Sequence, residues 1–296
     1  MSGRLSKAEL LEWRRAREWL ALGITRCGNT FFDWGKRTYV MGIINVSPDS
    51  FSGDGLSTVD AALAQARGFA EQGVDIIDIG GESTRPGSES ISVGKELQRV
   101  IPVVERLSGE IRVPISVDTY KFEVAKRALD AGAHMLNDIW TLKDTRLAGL
   151  AAERKVPIVI MSNQRDQQQR YIIPAVLADL KRAISQAIEN GMPRENIIID
   201  PGIGFGKTLE QNCEIVRRLG ELKSLKQPIL LGTSRKSMIG LVLDLPADQR
   251  LEGTAATVAI GIAGGADIVR VHDVKAMIRV CKMSDAIIRG LRGLSR

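Results

Sequence analysis

Residues 157–163 read PIVIMSN, an apolar run that ends in two polar residues. A run that is apolar at consecutive positions is typical of a strand covered on both faces, as the strands of parallel sheets are. The segments on either side, 145–154 and 173–191, have helical patterns. The stretch therefore predicts a strand between two helices, the unit from which α/β folds are built.

The same unit recurs along the chain. Seven further apolar runs lie at 39–46, 74–79, 114–117, 134–136, 196–199, 228–231 and 266–271. Other candidate helices are 58–73, 93–108, 121–132, 209–220, 236–263 with a break near Pro246, and 273–292. Eight βα units in about 250 residues predict the α/β class and a closed (β/α)8 TIM barrel. A doubly wound open sheet is the alternative, but eight regular units favour closure.

Two short segments precede the first unit. Residues 4–22 interleave Arg, Lys and Glu with Leu and Trp, which predicts an amphipathic helix within an N-terminal extension, residues 1–24. Residues 25–38, TRCGNTFFDWGKRT, carry a Gly-Asn pair between strand-like flanks and predict a hairpin that closes the bottom of the barrel. We expect a single barrel domain over residues 25–296.

Composition excludes several classes of protein. A hydrophobic share of 44% over 296 residues argues against disorder, and aromatic residues at 4% argue against base stacking on nucleic acid. Three cysteines without a CxxC pair argue against a disulfide framework or structural zinc, and two histidines exclude a His-rich metal site. No apolar stretch is long enough to span a membrane or to form the core of a signal peptide, so we expect a cytoplasmic protein. The net charge of +6 is compatible with nucleic acid, a membrane surface or a small anionic substrate.

Polar residues follow the apolar runs at the point where each predicted strand ends. Chemistry in TIM barrels lies at the carboxyl ends of the strands, so these residues are candidates for the active site. In chain order they include Asn45, Thr84, Arg85, Asp118, Asn137, Ser162, Asp200, Lys236, Ser237, Arg270 and His272. A cap or a turn explains any one of them equally well, Asp118 as a helix cap and Asp200 as a turn residue for example. The whole set is harder to explain in that way.

The residue types indicate what the site recognises. Asp118, Asn137 and Asp200 form a set of acceptors suited to a flat heterocycle with several N–H groups on one edge. Arg270 lies inside an apolar run, where an unpaired charge is costly, so it should face a pocket with an anion or a carboxylate. Arg270 and His272 are two residues apart and share a face; with Asn45 they suit a phosphate or diphosphate. The glycines at 202–206 match neither the Rossmann nor the P-loop spacing.

Seven segments together resemble the dihydropteroate synthases. In order these are MGIINVSPDSFSGDG, DIGGESTRPGS, ISVDTYK, NDI, IIDPGIGFGKT, LLGTSRKSMIG and RVHDV, within a match that runs from about residue 28 to residue 292. The STRPG and GTSRKS segments are the most specific. The resemblance implies an Mg²⁺-dependent transferase of folate biosynthesis, which joins 6-hydroxymethyl-7,8-dihydropterin diphosphate to 4-aminobenzoate. It also implies a homodimer and inhibition by sulfonamides.

The resemblance further implies a role for each site residue. Asp118, Lys236, Arg270 and His272 would be catalytic. The pterin would contact Asp118, Asn137, Ile139, Met161, Asp200, Phe205 and Lys236. The diphosphate would lie against Asn45, Thr84, Arg270 and His272, with Asn45 as the Mg²⁺ ligand. The aminobenzoate would contact Phe51, Thr84, Arg85, Pro86, Lys236 and Ser237.

Two departures from the family pattern and two rival functions stay open at this point. Many relatives have His where this chain has Ser162, and Asp54 is displaced by one position from its usual place in the first loop. A methyltetrahydrofolate-dependent methyltransferase has a similar pterin-reading barrel, but STRPG, SRKS and RVH argue against it. A catalytically inert pterin-binding paralogue is the other rival, and the presence of Arg85, Lys236 and His272 argues against it.

Overall fold

The computed structural model describes residues 22–46, 58–83, 89–165 and 169–290. The predicted N-terminal helix lies outside these ranges. Within them the strands are β1 Ile24–Cys27, β2 Thr30–Asp33, β3 Tyr39–Asn45, β4 Ile76–Gly80, β5 Ile115–Asp118, β6 Met135–Asp138, β7 Ile158–Met161, β8 Ile197–Asp200, β9 Leu230–Leu231 and β10 Ile268–Val271. Each of the eight predicted apolar runs forms a strand.

Strands β3 to β10 form a parallel sheet that closes on itself. The hydrogen-bonded order is β8-β7-β6-β5-β4-β3-β10-β9, and a parallel bridge between Ile199 and Ile229 joins the two ends. The sheet therefore encloses a (β/α)8 barrel, which confirms the predicted fold and rules out the open sheet.

Helices follow the strands and cover the outside of the barrel. They are α1 Val59–Gln72, α2 Val93–Glu110, α3 Phe122–Asp130, α4 Arg146–Arg154, α5 Ile172–Glu189, α6 Leu209–Arg217, α7 Ser237–Leu243, α8 Leu251–Ala263 and α9 Val274–Ile288. The predicted break near Pro246 is confirmed, because α7 ends at Leu243 and α8 begins at Leu251. In the described part of the chain no helix is long and apolar enough to cross a membrane.

The alternation of side chains along each strand determines which residues fill the barrel. Met41, Ile76, Met135, Val159, Ile198, Leu230 and Ile268 pack in one cluster near the amino ends of the strands. Residues two positions further along a strand face the same side. The next interior layer therefore contains Ile43, Asp78, Asn137, Met161, Asp200, Gly232 and Arg270, so the barrel changes from apolar to polar within one layer.

The predicted hairpin closes the bottom of the barrel. Strands β1 and β2 pair antiparallel, and Cys27, Phe32 and Trp34 pack into the same cluster as the lower interior layer. Trp34 is almost fully buried, stacks on Phe32 and donates a hydrogen bond from Nε1 to the Thr25 hydroxyl at 2.8 Å. With this end filled, the open end of the barrel is the one at the carboxyl ends of the strands.

Candidate active site

A cavity of about 410 Å³ opens at the carboxyl ends of the barrel strands. Apart from Ser162, every predicted site residue within the described ranges lines it: Asn45, Asp118, Asn137, Ile139, Met161, Asp200, Phe205, Lys236, Ser237, Arg270 and His272. The predicted residues Phe51, Thr84, Arg85 and Pro86, and also Asp54, lie outside the described residues. The structure thus brings together side chains from seven strand ends that are up to 227 positions apart in the sequence.

Arg270 lies at the centre of the polar layer and pairs with two carboxylates. Its Nε donates to Asp78 Oδ2 at 2.6 Å and its Nη2 donates to Asp118 Oδ2 at 2.7 Å. Asn137 Nδ2 also donates to Asp78 Oδ2, at 3.1 Å. The prediction that Arg270 faces a carboxylate is therefore confirmed, and two carboxylates, Asp78 and Asp118, pair with it. In the described part of the chain its Nη1 makes no protein hydrogen bond.

Asp118 has a carboxyl pKa close to neutral pH. Burial raises the pKa of Asp118 to about 7, the Arg270 guanidinium opposes this rise, and the Asp78 carboxylate adds to it. Its Oδ2 accepts from Arg270, whereas its Oδ1 is buried without a hydrogen-bond partner among the described residues. A buried carboxylate oxygen in this state needs a donor, and Asp118 lines the cavity from which one can come.

Lys236 and Asp200 form the second charged pair of groups in the cavity. Burial raises the pKa of Asp200 and lowers that of Lys236 to about 8, while each charge favours the ionised form of the other. The Lys236 ammonium donates to the Ile203 carbonyl at 2.7 Å and lies 4.2 Å above the centre of the Phe205 ring. The loop after β8 therefore fixes the position of this cation.

His272, Ser234 and Asn45 lie on the part of the cavity wall formed by β10, β9 and β3. The Ser234 hydroxyl lies 2.9 Å from His272 Nδ1 and accepts a hydrogen bond from the His272 backbone N–H at 3.1 Å. These contacts orient the imidazole from the strand beside it. Asn45 ends β3, next to the strand that carries Arg270.

Ile139, Met161 and Phe205 form a separate apolar cluster at the cavity, with Tyr120 and Trp140 against it. Hydrogen bonds join the loops that carry them. Thr141 donates from Oγ1 to the Met161 carbonyl at 2.8 Å, and Asn163 donates from Nδ2 to the Ile139 carbonyl at 2.9 Å. The cavity thus has an apolar wall beside a cluster of charges, which suits a flat ring with polar edges.

Sequence reasoning did not predict Ser234 and Glu82, which line the cavity, nor Asp78 and Arg250. Asp78 is fully buried within β4, and the argument that made Arg270 conspicuous applies to it equally, since a charge inside an apolar run needs a partner. Arg250 lines the cavity from the turn before α8. Its Nη1 donates to the carbonyls of Arg235 and Lys236 at 3.0 and 3.3 Å. No sequence pattern indicated Arg250.

Ser162 faces away from the cavity. Its hydroxyl donates to Asp179 Oδ2 of α5 at 2.9 Å and accepts from Gln164 Nε2 at 3.2 Å, behind the apolar wall. Asp179 also pairs with Arg182. The side chain that replaces the family's histidine is therefore part of a buried polar cluster.

The fold and the cavity define an enzyme of the pterin-binding class, and comparison with known proteins agrees. The family model described as pterin binding enzyme matches residues 41–272. A dihydropteroate synthase of Bacillus subtilis is 51% identical over 255 residues, which cover 86% of this chain and 90% of that protein.

Solved structures give the same result. A Clostridium difficile dihydropteroate synthase, determined in the presence of pteroic acid, matches with a TM-score of 0.83 at 49% identity, over 87% of this chain and 99% of that one. A Yersinia pestis dihydropteroate synthase in complex with a sulfonamide drug matches with a TM-score of 0.85 at 37% identity, over 89% and 98%. The chain belongs to the dihydropteroate synthase family, the transferases of folate biosynthesis.

The paired charges generate a prediction about Asp118. Asp78→Asn removes a negative charge that raises the pKa of Asp118, while Arg270, which lowers it, remains. We expect the pKa of Asp118 to fall below about 7 in this variant. Carboxyl ¹³C NMR of the labelled protein measures it. Asp267→Asn is the matched control, because Asp267 is equally buried but accepts from Ile229 N at the amino ends of the strands. An unchanged or higher pKa of Asp118 in Asp78→Asn contradicts the cluster described here.

Proposed function

We propose that this chain joins 6-hydroxymethyl-7,8-dihydropterin diphosphate to 4-aminobenzoate at the barrel mouth, giving 7,8-dihydropteroate and diphosphate. The observation that carries the proposal is one cavity lined by two sets of groups: carboxylates, an amide and a lysine, and beside them Arg270, His272 and Asn45. The first set suits the polar edge of a pterin, and the second suits two phosphate groups.

The pterin binds between the charges and the apolar wall. The unpartnered Oδ1 of Asp118 accepts an N–H of the ring, and Asp200 and Asn137 complete the contacts at its edge. Lys236 contributes a donor above the Phe205 ring. Ile139, Met161 and Phe205 pack against the flat faces. Burial of these groups excludes competing water, which strengthens each hydrogen bond.

The diphosphate binds beside the pterin, where β10 and β3 form the cavity wall. Arg270 reaches it through Nη1, because Asp78 and Asp118 engage its other two nitrogens. His272, held by Ser234, supplies a second donor, and Thr84 would add a hydroxyl. The Asn45 side chain offers a neutral amide oxygen facing the same cavity, a donor suited to Mg²⁺ that is held mainly by phosphate oxygens and water. Mg²⁺ bound there supplies charge neutralisation of the departing diphosphate.

The aminobenzoate binds at the rim. Lys236 and Ser237 line the cavity where α7 begins, and Arg250 holds the carbonyls of this turn in place. Phe51, Thr84, Arg85 and Pro86 would complete the subsite. Because sulfonamides resemble aminobenzoate in shape and charge, we propose that they compete for it.

The reaction transfers a methylene carbon from oxygen to nitrogen. The C–O bond to the diphosphate breaks, and its electron pair leaves with the diphosphate, whose charge Arg270 and His272 stabilise. The aminobenzoate nitrogen then bonds to the methylene carbon and releases a proton. We propose a dissociative order, in which the Asp118 carboxylate stabilises the cationic pterin-methylene electrostatically. Clean stereochemical inversion at a chirally labelled methylene, with no cation trapped, would count against this order.

Two further proposals concern the state of the protein. The cysteines Cys27, Cys213 and Cys281 are free, which is compatible with a reducing cytoplasm, so we propose that the protein is cytoplasmic.

Helices α7, α8 and α9 are neighbours on one flank of the barrel and expose apolar side chains: Leu241, Val242, Leu243, Leu251, Ile260, Met283, Ile287 and Ile288. An apolar flank of this kind is typical of a subunit interface, so we propose a homodimer through it.

The activity is tested by measuring diphosphate release with both substrates and Mg²⁺, omitting each component in turn. We expect release to require aminobenzoate. Asp118→Asn replaces an acceptor by a donor against the pterin N–H, so kcat/KM should fall on the order of a thousandfold, and Lys236→Ala should abolish turnover. Ser162→Ala, on the far side of the wall, should change kcat/KM less than about threefold.

Each contrary result of this experiment identifies a different error. Absence of aminobenzoate-dependent release in the wild-type protein contradicts the proposed function and favours the inert paralogue. Methyl transfer from methyltetrahydrofolate favours the methyltransferase. Loss of turnover in Ser162→Ala with unchanged pterin binding shows that the position of Ser162 has a role in catalysis after all.

The proposed dimer predicts a mass in solution of twice one chain. Ile260 is 53% exposed in the last turn of α8, so Ile260→Asp places a charge in the proposed interface and should shift the protein to monomer in light scattering. Phe31→Asp, at a 63% exposed position on the hairpin, is the control and should leave the dimer intact. A monomeric wild-type protein, or a dimeric Ile260→Asp variant, contradicts this interface.

A further inference from the structure

A partly buried lysine outside the cavity joins two of the loops that form the cavity wall. Lys207 follows the glycine-rich loop after β8, and its ammonium donates to three backbone carbonyls. These belong to Ser162 at 3.0 Å, Gly202 at 2.9 Å and Phe205 at 3.2 Å. Two of the carbonyls are in its own loop, and the third lies at the end of β7. Lys207 lies behind the wall and does not line the cavity.

The three carbonyls match the hydrogen-bonding capacity of a charged lysine; burial lowers the pKa of Lys207 to about 7, while the Asp200 and Asp179 carboxylates favour the charged form. An ammonium has three N–H groups, so it satisfies all three acceptors, whereas any neutral side chain of similar length satisfies fewer. No carboxylate of the described residues lies within ion-pair distance of Lys207, and its hydrogen-bond partners are the three backbone carbonyls. Position 207 therefore requires a side chain whose terminal nitrogen carries several N–H groups, and the contacts there do not depend on an ion pair.

The loop that Lys207 holds has an unusual backbone. Gly202, Gly204 and Gly206 adopt φ of +71°, +80° and +68°, which favour glycine. A Cβ on Gly202 would overlap the Ser162 carbonyl, and one on Gly206 would overlap the backbone of Gln164 and Arg165. The loop is thus pressed against the segment after β7. Carbonyls brought this close to one another need a shared donor, and Lys207 provides it.

The same loop positions the groups that face the pterin. The Ile203 carbonyl accepts from Lys236, and the Phe205 ring lies beneath the Lys236 ammonium. Two further side chains hold the loop through its backbone: Asp200 accepts from Gly202 N and Asn212 accepts from Gly204 N, both at 2.7 Å. A change at Lys207 therefore reaches the cavity through Ile203, Phe205 and Lys236.

We propose that Lys207 is a positioning residue for pterin recognition: it holds the 202–206 loop against the end of β7, and so places Lys236 and Phe205 at the pterin. The inference rests on the pterin site proposed above. It predicts a larger defect for the pterin than for aminobenzoate, because Phe205 contacts the pterin alone, whereas Lys236 contributes to both subsites.

The test compares three variants of the full chain by steady-state kinetics and thermal unfolding. Lys207→Met removes every donor but keeps the length and apolar stem of the side chain. We expect it to raise the KM for the pterin diphosphate about tenfold or more, while the KM for aminobenzoate, to which Lys236 also contributes, rises no more than about threefold. Lys207→Arg retains multiple donors and should stay within about threefold of the wild-type pterin KM. Lys207→Gln, with one amide donor group, should give an intermediate value.

The control is Lys223→Met, a lysine in the short turn Leu219–Leu225 before β9, at the opposite end of the barrel. It should leave both KM values unchanged. Equal increases in both KM values, or an unchanged pterin KM with a lower melting temperature in Lys207→Met, overturn the proposal in favour of a purely structural role. If Lys207→Met and Lys207→Gln both fail to fold while Lys207→Arg has wild-type kinetics, the role of Lys207 is likewise purely structural and the proposal is overturned. Absence of aminobenzoate-dependent diphosphate release in the wild-type protein instead contradicts the proposed function and is distinguishable from all of these.

Discussion

The site depends on one buried cation held between two carboxylates. Arg270 is committed to Asp78 and Asp118, so neither carboxylate is left as an isolated buried charge, which would be costly. One guanidinium nevertheless cannot neutralise two carboxylates, and burial raises the pKa of Asp118 to about 7. The cluster therefore leaves two carboxylate oxygens, Asp78 Oδ1 and Asp118 Oδ1, buried and without a hydrogen-bond partner among the described residues, and of these two residues Asp118 lines the cavity. A ligand that donates an N–H to Asp118 Oδ1 satisfies it, which links the energetics of the fold to recognition of the pterin.

The barrel makes such a cluster possible because it converts strand alternation into concentric layers. Apolar residues and the hairpin fill the lower layer, so the polar layer above it lies over a closely packed apolar floor. The loops above that layer are joined to one another by Thr141, Asn163 and Lys207. Rigid strands thus fix the carboxylates and Arg270, whereas hydrogen-bonded loops fix Phe205 and Lys236. Both kinds of support are needed, since a binding site loses affinity when its groups are misplaced by about 1 Å.

The fold could be predicted from the sequence because the same pattern, an apolar run followed by a helical segment, occurs eight times and each run forms a strand. The break near Pro246 could be predicted as well. The sequence also predicted that Arg270 needs a carboxylate, because a charge inside an apolar run is conspicuous. It did not predict Asp78, although the same argument applies. Asp78 lies within β4, whereas the predicted site residues were mostly those at or after the strand ends. The roles of Lys207 and Arg250 could not be predicted from the sequence. Their partners are backbone carbonyls, which every residue carries, so no residue type marks the contact.

The central claim is that the ionised Asp118 receives an N–H of the pterin. Calorimetric titration with 6-hydroxymethylpterin between pH 5.5 and 7.5 tests it most directly. Asp118 is ionised above its pKa of about 7, so affinity should be full above this pH and should fall as the pH drops, approaching tenfold per pH unit. Asp118→Asn should bind weakly and lose this dependence. Wild-type binding that is independent of pH across this range, or undiminished binding by Asp118→Asn, would contradict the account.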